Sequence, residues 1–447
     1  MRPLRCLILG AAGRDFHDFQ VFFRARPELR VLAFTAEQIP FIDRRVFPRE
    51  LAGPGYDADI PIYPERELPE LIARLEIDAV FLAYSDLPYA EVMHKASVVQ
   101  AAGASFALLG LRATQLSSRL PVISVTASRT GAGKSPIAQA IARHLVDHGY
   151  AVGVLRHPMP YGDLRRQEVQ RFATLADLDR HECTIEEREE YRPYVAQGLT
   201  IYAGVDYTKV LAAAEQDVDL ILWDGGNNDT SFIRAGLSIV VLDALRPGHE
   251  TSYYPGETNL RLADVLVINK VAQAEPGAVE LVRATITAVH PQAEVIESDL
   301  EVVADAADIR GRRALVVEDG PTTTHGGRPW GAGYWAARHC GAAEIIDPRP
   351  FAVGTLAAAY REYPHVGPVL PALGYSAAQR DDLAATIRAA APEVVIDASP
   401  ARLDSVLALD VPIVTVGYRF AQRAGPDLLQ RALEFAAAGG RRGDAAR

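Results

Sequence analysis

Cysteine is scarce in this chain. Its 447 residues hold only Cys6, Cys183 and Cys340, far apart and with no C-x-x-C pair. That spacing excludes a disulfide-stapled or zinc-bound framework and points to a reducing compartment. Long apolar runs are missing too, since none reaches the ~18 residues that a membrane span needs. The first apolar stretch is short and runs into Gly10, so no secretory leader is read and the expected location is cytoplasmic, away from membranes. Positive charge is in deficit. A formal net charge of −11 argues against a nucleic-acid partner, whose phosphates require a surface rich in Lys and Arg. No internal repeat or low-complexity tract is evident.

What the chain has in quantity is apolar α/β material. It is 49% hydrophobic and 23% charged, enough to bury cores in about three domains of ordinary size. Aliphatic runs at 5–9, 31–35 and 79–83 recur at 151–156, 199–203, 220–224, 239–243, 265–269 and 314–318, with stretches of helical spacing between them. This alternation predicts an α/β fold with parallel sheets. We read a Rossmann-like α/β domain at 1–118 and a P-loop NTPase domain at 119–328. A C-terminal α/β domain at 329–447 opens on a Gly-rich link (Thr322 to Gly327, then Gly331 to Gly333) and ends in a short frayed tail. Its strands are expected at 343–346, 394–397 and 413–415, and its helices at 377–391 and 428–438.

The second domain opens on Ser124-Val125-Thr126-Ala127-Ser128-Arg129-Thr130-Gly131-Ala132-Gly133-Lys134-Ser135. It reads as a buried strand, a Gly-rich turn ending in Gly-Lys-Ser, and a helix over 136–148. Such a loop cradles phosphates with backbone N–H groups from Thr130, Gly131, Ala132 and Gly133, brings Lys134 to the terminal phosphates and offers the Ser135 hydroxyl to Mg²⁺. Ser128 stands where the pattern usually has its first glycine. The run Leu220 to Gly226 is a core strand ending in Asp224, a second candidate Mg²⁺ ligand; the alternative is an acidic residue that merely starts a turn. Asn227, Asn228 and Asp229 follow where a switch-like loop would sit.

Further along, Asn269-Lys270-Val271-Ala272 follows another core strand. It is similar to the N-K-x-D base-recognition motif of GTP-binding proteins, but Ala272 replaces the acidic residue and cannot accept from guanine. The base is expected near Asn269 and Lys270, with ATP or GTP left open. Arg156 and His157 end a strand and are candidates for contact with a second, anionic substrate, or with charge on the transferring group; a plain surface pair is the alternative. His249 and Glu250 lie on a polar loop after a core strand and are candidates for a general base, a metal ligand or a substrate contact, though a single His–Glu pair lacks the spacing of a metal site. The first turn, Gly10-Ala11-Ala12-Gly13-Arg14-Asp15, matches a dinucleotide fingerprint only loosely. Arg14, Asp15, His17 and Asp18 form an unusual polar group there, suited to an anion or to contact with the next domain, or else to helix capping. The charged segment 169–196 reads as a solvated helical insertion or a lid.

Taken together, several motifs carry a resemblance. They are Gly10 to His17, Thr130 to Ser135, Tyr202-Ala203-Gly204-Val205-Asp206-Tyr207, Tyr253-Tyr254-Pro255-Gly256-Glu257, Glu318-Asp319-Gly320-Pro321 and Pro368-Val369-Leu370-Pro371. The chain resembles the predicted GTPases related to cyclic 2,3-diphosphoglycerate synthetase, and among P-loop proteins the signal-recognition, MinD and BioD class. The resemblance implies a cytoplasmic, Mg²⁺-dependent enzyme in which a nucleoside triphosphate drives phosphoryl transfer or ring closure on a small anionic substrate. In the synthetase reaction, ATP would close 2,3-diphosphoglycerate into an internal phosphoanhydride and leave ADP and phosphate. Lys134, Asp224, Arg156 and His157 are then the expected catalytic set, Ser135 and Asp224 the metal ligands, and Arg14 and His17 further substrate candidates. A rival reading is a regulatory or metallochaperone-type GTPase acting on a protein partner, and a third is a nonenzymatic Rossmann-type sensor. A homodimer through apolar helices of the last domain is a further expectation.

Overall fold

The structure is a computed structural model that describes residues 2–11, 13–37, 45–157, 162–226, 229–319, 323–324, 329–373, 376–399 and 402–439. Ala12, Asn227, Asn228, Gly320, Pro321, Thr322, His325, Gly326 and Gly327, all named above, lie outside the described residues, as does the tail 440–447. The chain forms two compact units. One comprises residues 1–177, 194–299 and 421–447, and the other 178–193 and 300–420. Among the described residues no helix is long and apolar enough to cross a membrane.

The first unit holds two sheets built on buried aliphatic strands. Leu4–Leu9 is buried from Cys6 onward and sits inside a six-stranded sheet ordered Val46–Phe47, Ile60–Pro64, Leu29–Ala36, Leu4–Leu9, Ala79–Leu82, Ser105–Leu108. The pairs are parallel, save the short Val46–Phe47 edge. The second sheet is ordered Gln170–Phe172, Thr200–Ala203, Val152–Arg156, Leu220–Asp224, Val122–Ala127, Leu237–Asp243, Val265–Asn269, Glu294–Val303, Gly417–Ala424. From Thr200–Ala203 to Glu294–Val303 it is parallel. Val122–Ala127 and Leu220–Asp224 are buried at every position, as strands covered by helices on both faces must be. The covering helix Lys134–Asp147 turns Ile137, Ala138, Ile141, Ala142 and Leu145 inward, the spacing of one helical face.

Parallel order has a chemical consequence. Arg156, Asp224, Asp243 and Asn269 are each the last residue of a parallel strand. All four therefore arrive at one edge of the sheet, beside the loop that follows Val122–Ala127, which is where open α/β sheets bind ligands.

The second unit has its own parallel sheet, ordered Glu344–Ile345, Arg313–Asp319, Val394–Ala398, Ile413–Thr415, with Leu370–Ala372 also paired to Arg313–Asp319. Arg313–Asp319, read from the sequence as a strand of the phosphate-loop sheet, is the hub of this one. An aliphatic run announces a buried strand but carries no mark of its partner. The helix Leu428–Gly439, read with the last domain, belongs to the first unit, where Phe435 lies over Gly236, a position with no room for a side chain. Gly417–Ala424 went unread because its exposed, polar residues carry no apolar alternation.

Asp206 illustrates how local rules position the site. Its buried carboxylate caps the helix Tyr207–Asp217 by accepting from the N–H groups of Thr208 and Lys209, and Tyr207 at the start of that helix donates its hydroxyl to the carbonyl of Arg156. Replacing Asp206 with Ala is expected to destabilise the fold by about 1–2 kcal/mol, the usual cost of an uncapped N-terminus. Urea denaturation checks this, and an unchanged midpoint would show that the cap contributes nothing.

Candidate functional site

The phosphate-loop motif folds as its glycines require. Gly131 and Gly133 have φ of +80° and +98°, a region that side chains avoid. Ser128, at the first-glycine position, is tolerated because the bare position lies elsewhere. A Cβ on Gly256 would stand 2.5 Å from the Ser128 carbonyl oxygen. The glycine of Tyr253-Tyr254-Pro255-Gly256-Glu257 thus supplies the close approach. Asn259, in the helix that follows, donates to the Ala127 carbonyl at 3.3 Å.

At the mouth of the loop, one carboxylate organises three donors. Fully buried Asp224 accepts from Lys134 Nζ on Oδ1 and from Arg156 Nη1 on Oδ2. Tyr194 donates its hydroxyl to Oδ2 at 2.6 Å. Lys134 also reaches the Gly225 carbonyl, and Arg156 Nη1 lies 3.4 Å from Ser135 Oγ. Burial alone would raise the Asp224 carboxyl, but Arg156 and Lys134 outweigh it and hold it at about 2. Two cations around one carboxylate leave an excess of positive charge, which suits a polyphosphate. Tyr194 was not singled out in the sequence, since it lies at the end of the charged helix Ile185–Val195 and no spacing rule ties that helix to a strand end.

Asn269 and Lys270 brace the same loop. Asn269 Nδ2 donates to the Ala132 carbonyl at 2.8 Å, and its Oδ1 accepts from Ser298 Oγ at 3.0 Å. Lys270 Nζ donates to the Gly131 carbonyl at 2.6 Å and pairs with Asp243 at 3.0 Å. Arg246 joins Asp243 to the Thr130 carbonyl. Burial raises Asp243, but Lys270 and Arg246 hold it below the usual carboxylate range. At residue 272, where a guanine-reading acid would stand, the Ala272 N–H donates to Asp299, which also holds Arg423.

Two clamps tie this edge to the six-stranded sheet. Arg129 pairs with Asp86 at 2.7 Å, contacts His249 Nδ1 at 2.8 Å and lies 3.6 Å over the Tyr253 ring. Burial and Arg129 lower the His249 pKa. Its neighbour Glu250 is buried, and its Oε1 has no hydrogen-bond partner among the described residues. The second clamp is His157. A Cβ on Gly13 would stand 1.8 Å from its ring, and one on Gly226 3.0 Å from its Cβ. The imidazole therefore fits between two bare glycines, one from each sheet.

Beside His157 lies a buried polar group. Arg14 Nε donates to Asp229 Oδ1 at 2.5 Å, Arg14 Nη2 donates to the Thr230 carbonyl and hydroxyl, and Arg14 Nη1 stands 3.7 Å from Asp18. His17 Nε2 contacts the Thr114 carbonyl at 2.7 Å, and its ring stacks on Phe232 at 4.1 Å. Burial and Arg14 push His17 down to about 3. Asp15 accepts from the N–H groups of Gly13 and Phe16, so its carboxylate occupies the turn in which a dinucleotide phosphate would sit.

Burial pushes Asp18 from 3.8 up to about 7, against the pull of Arg14. A carboxyl that titrates higher in the folded chain than in the unfolded one costs stability as pH rises from about 4 to about 7. Asp18→Asn removes that cost. The variant is expected to melt above the wild type at pH 8, with the gap closing toward pH 4. A pH series of thermal melts checks this, and a gap independent of pH would contradict it.

No family model matches the chain. Against curated proteins it is 53% identical over 433 residues to the arginine synthetase ArcE of Thermococcus kodakarensis, covering 97% of each chain. That relative's name differs from the cyclic 2,3-diphosphoglycerate synthetase that the motifs resemble. Among solved structures, the chain is similar to LpxK from Aquifex aeolicus in complex with ATP, with 12% identity and a TM-score of 0.44 over 73% of this chain and 90% of that one. It is also similar to cobyrinic acid a,c-diamide synthase from Mycobacterium smegmatis with a bound ATP analogue and magnesium, with 15% identity and a TM-score of 0.20 over 40% of this chain and 72% of that one. More than half the residues are shared across almost the whole of both chains, and so this protein belongs to the family of the arginine synthetase ArcE.

Proposed function

We propose that this protein is an ATP-dependent, ligase-like enzyme that forms arginine. The observation that carries the reading is the pair Lys134 and Arg156 on one buried carboxylate at a phosphate loop, in a chain 53% identical to an arginine synthetase. ATP is favoured over GTP because Ala272 offers no acceptor for the guanine ring.

The loop N–H groups from Thr130 to Gly133 and the Lys134 ammonium bind the triphosphate. To do so, Lys134 leaves Asp224 for the phosphates. Arg156 stays beside Ser135 and faces the charge that develops on the transferring group. Asn269 and Lys270 hold the loop in shape from behind and set the nearby edge of the base site. Ser135 Oγ and the Asp224 carboxylate, joined through Arg156, are an oxygen set that fits Mg²⁺, which when bound would neutralise phosphate charge. In this reading the γ-phosphoryl group passes to an oxygen on the acceptor carbon. A nitrogen nucleophile then displaces the phosphorylated oxygen, and ADP and phosphate leave. His157, next to Arg156 and wedged between Gly13 and Gly226, lines the acceptor side.

The resemblance to cyclic 2,3-diphosphoglycerate synthetase shares the first half of this scheme, phosphoryl transfer to an acceptor oxygen, and differs in what displaces it. One assay separates the two. Phosphate release with Mg²⁺ is measured from ATP and from GTP, with 2,3-diphosphoglycerate or with an amino acid bearing a terminal ureido group plus ammonia, and mass spectrometry follows the product. The expected result is ATP turnover stimulated by the amino acid, with arginine formed. Stimulation by the diphosphoglycerate alone would move the assignment to ring closure, and slow GTP hydrolysis indifferent to both would overturn either synthetase.

Lys134→Ala is expected to lower that turnover at least about a hundredfold, the scale of losing one preorganised charge contact, while the fold persists by circular dichroism. Full activity in the folded variant would remove the phosphate-loop mechanism.

A further inference from the structure

We infer that Arg423 is a specificity-determining residue, which occupies Asp299 and so denies guanine an acceptor at the base site. This rests on the ATP reading above and assigns its base preference to one side-chain pair. The acid that the N-K-x-D pattern lacks at residue 272 is missing from the chain order but present in the fold. Asp299 Oδ1 accepts from the Ala272 N–H at 2.9 Å, so its carboxylate lies within a side chain's reach of the place an acid at 272 would fill. Strand register brings it there. Val265–Asn269 and Glu294–Val303 run parallel with Asn269 opposite Ser298, which sets Asp299 level with Lys270. Ser298 serves the same corner by donating to Asn269 Oδ1 at 3.0 Å.

An unoccupied carboxylate at this corner would favour guanine. The N1–H and N2–H groups of guanine are paired donors that fit two carboxylate oxygens, whereas adenine turns a lone pair on N1 toward the same place. Asp299 would then work against a site that uses ATP. Arg423 prevents this. Its Nε donates to Asp299 Oδ2 at 2.8 Å, while Oδ1 is held by the Ala272 N–H. The Arg423 side chain is 45% exposed and that of Asp299 only 5%, so the arginine is the outer member of the pair. The sheet fixes its place. Gly417–Ala424 lies beside Glu294–Val303, and a Cβ on Gly425 would stand 2.5 Å from the Val295 carbonyl oxygen, so a bare residue is needed for the strand to come this close. A hydrogen bond between two charged groups is stronger than one from a neutral base N–H, and guanine cannot displace it at little cost. Adenine requires no acceptor at this point and loses nothing.

Competition of ADP and of GDP against a fluorescent ADP analogue, on the full-length protein with Mg²⁺, tests this. The wild type is expected to prefer ADP. Arg423→Met, which keeps the apolar stem and loses the guanidinium, and Arg423→Ala should each shift the ratio of the two affinities toward GDP by about tenfold, the scale of one charged hydrogen bond. Adding Asp299→Asn to either should remove that gain, because an amide does not offer two acceptors. Binding of the fluorescent analogue reports that the variants fold. Ala272→Asp is measured alongside, since it brings an acid to the same corner and leaves Arg423 in place. A shift toward GDP in Ala272→Asp with none in the Arg423 variants would overturn the role of Arg423 and leave the base beside Asn269 and Lys270. No shift in any of them would overturn both the role and that placement of the base. A wild type that prefers GDP would overturn the ATP reading and the inference with it.

Discussion

The site depends on where Asp224 stands. Its carboxylate is fully buried at the end of a parallel strand, and it remains ionised because Lys134, Arg156 and Tyr194 all donate to it. Without those donors, burial would push its proton affinity up. With them, one acid holds together the phosphate-loop lysine, the strand-end arginine and a tyrosine from the far end of a long excursion. Several kcal/mol would be lost if one partner of such a buried set were removed and the others left. The arrangement is therefore a strong constraint on the backbone around it.

The loop is also stiffened from the other side. Asn269, Lys270 and Arg246 each donate to a carbonyl of the Gly-rich turn, and Asp243 ties Lys270 to Arg246. These contacts occupy the carbonyls of the turn, and the Ala132 N–H is held on the Arg129 carbonyl. A turn braced in this way loses little conformational entropy on binding a ligand. Two contacts reach the six-stranded sheet. Arg129 grips Asp86 on one flank, and on the other His157 threads between Gly13 and Gly226 beside Asp18 and Asp229.

Much of this was legible in residue patterns. Buried parallel strands need continuous aliphatic runs, and Leu220–Asp224 and Val265–Asn269 were read to the residue. Gly131 and Gly133 were readable because only glycine enters their conformation at little cost. Tyr194 was not readable, because a tyrosine in a charged helix has the same pattern whether it faces water or an aspartate. Nor was the exhaustion of Arg14, since Asp229 lies more than two hundred residues away in the chain.

By itself, the sequence determined the α/β class, the phosphate loop and the strand ends that carry Arg156, Asp224 and Asn269. These follow from short-range rules: side-chain burial, helical spacing and the φ freedom of glycine. Tertiary structure alone decided that Arg313–Asp319 belongs to the second unit, that Tyr194 completes the Asp224 set and that Arg14 is taken up by Asp229 and Thr230. Each of those depends on long-range partners, and the charge a site offers is the sum over side chains that the fold, not the chain order, brings together.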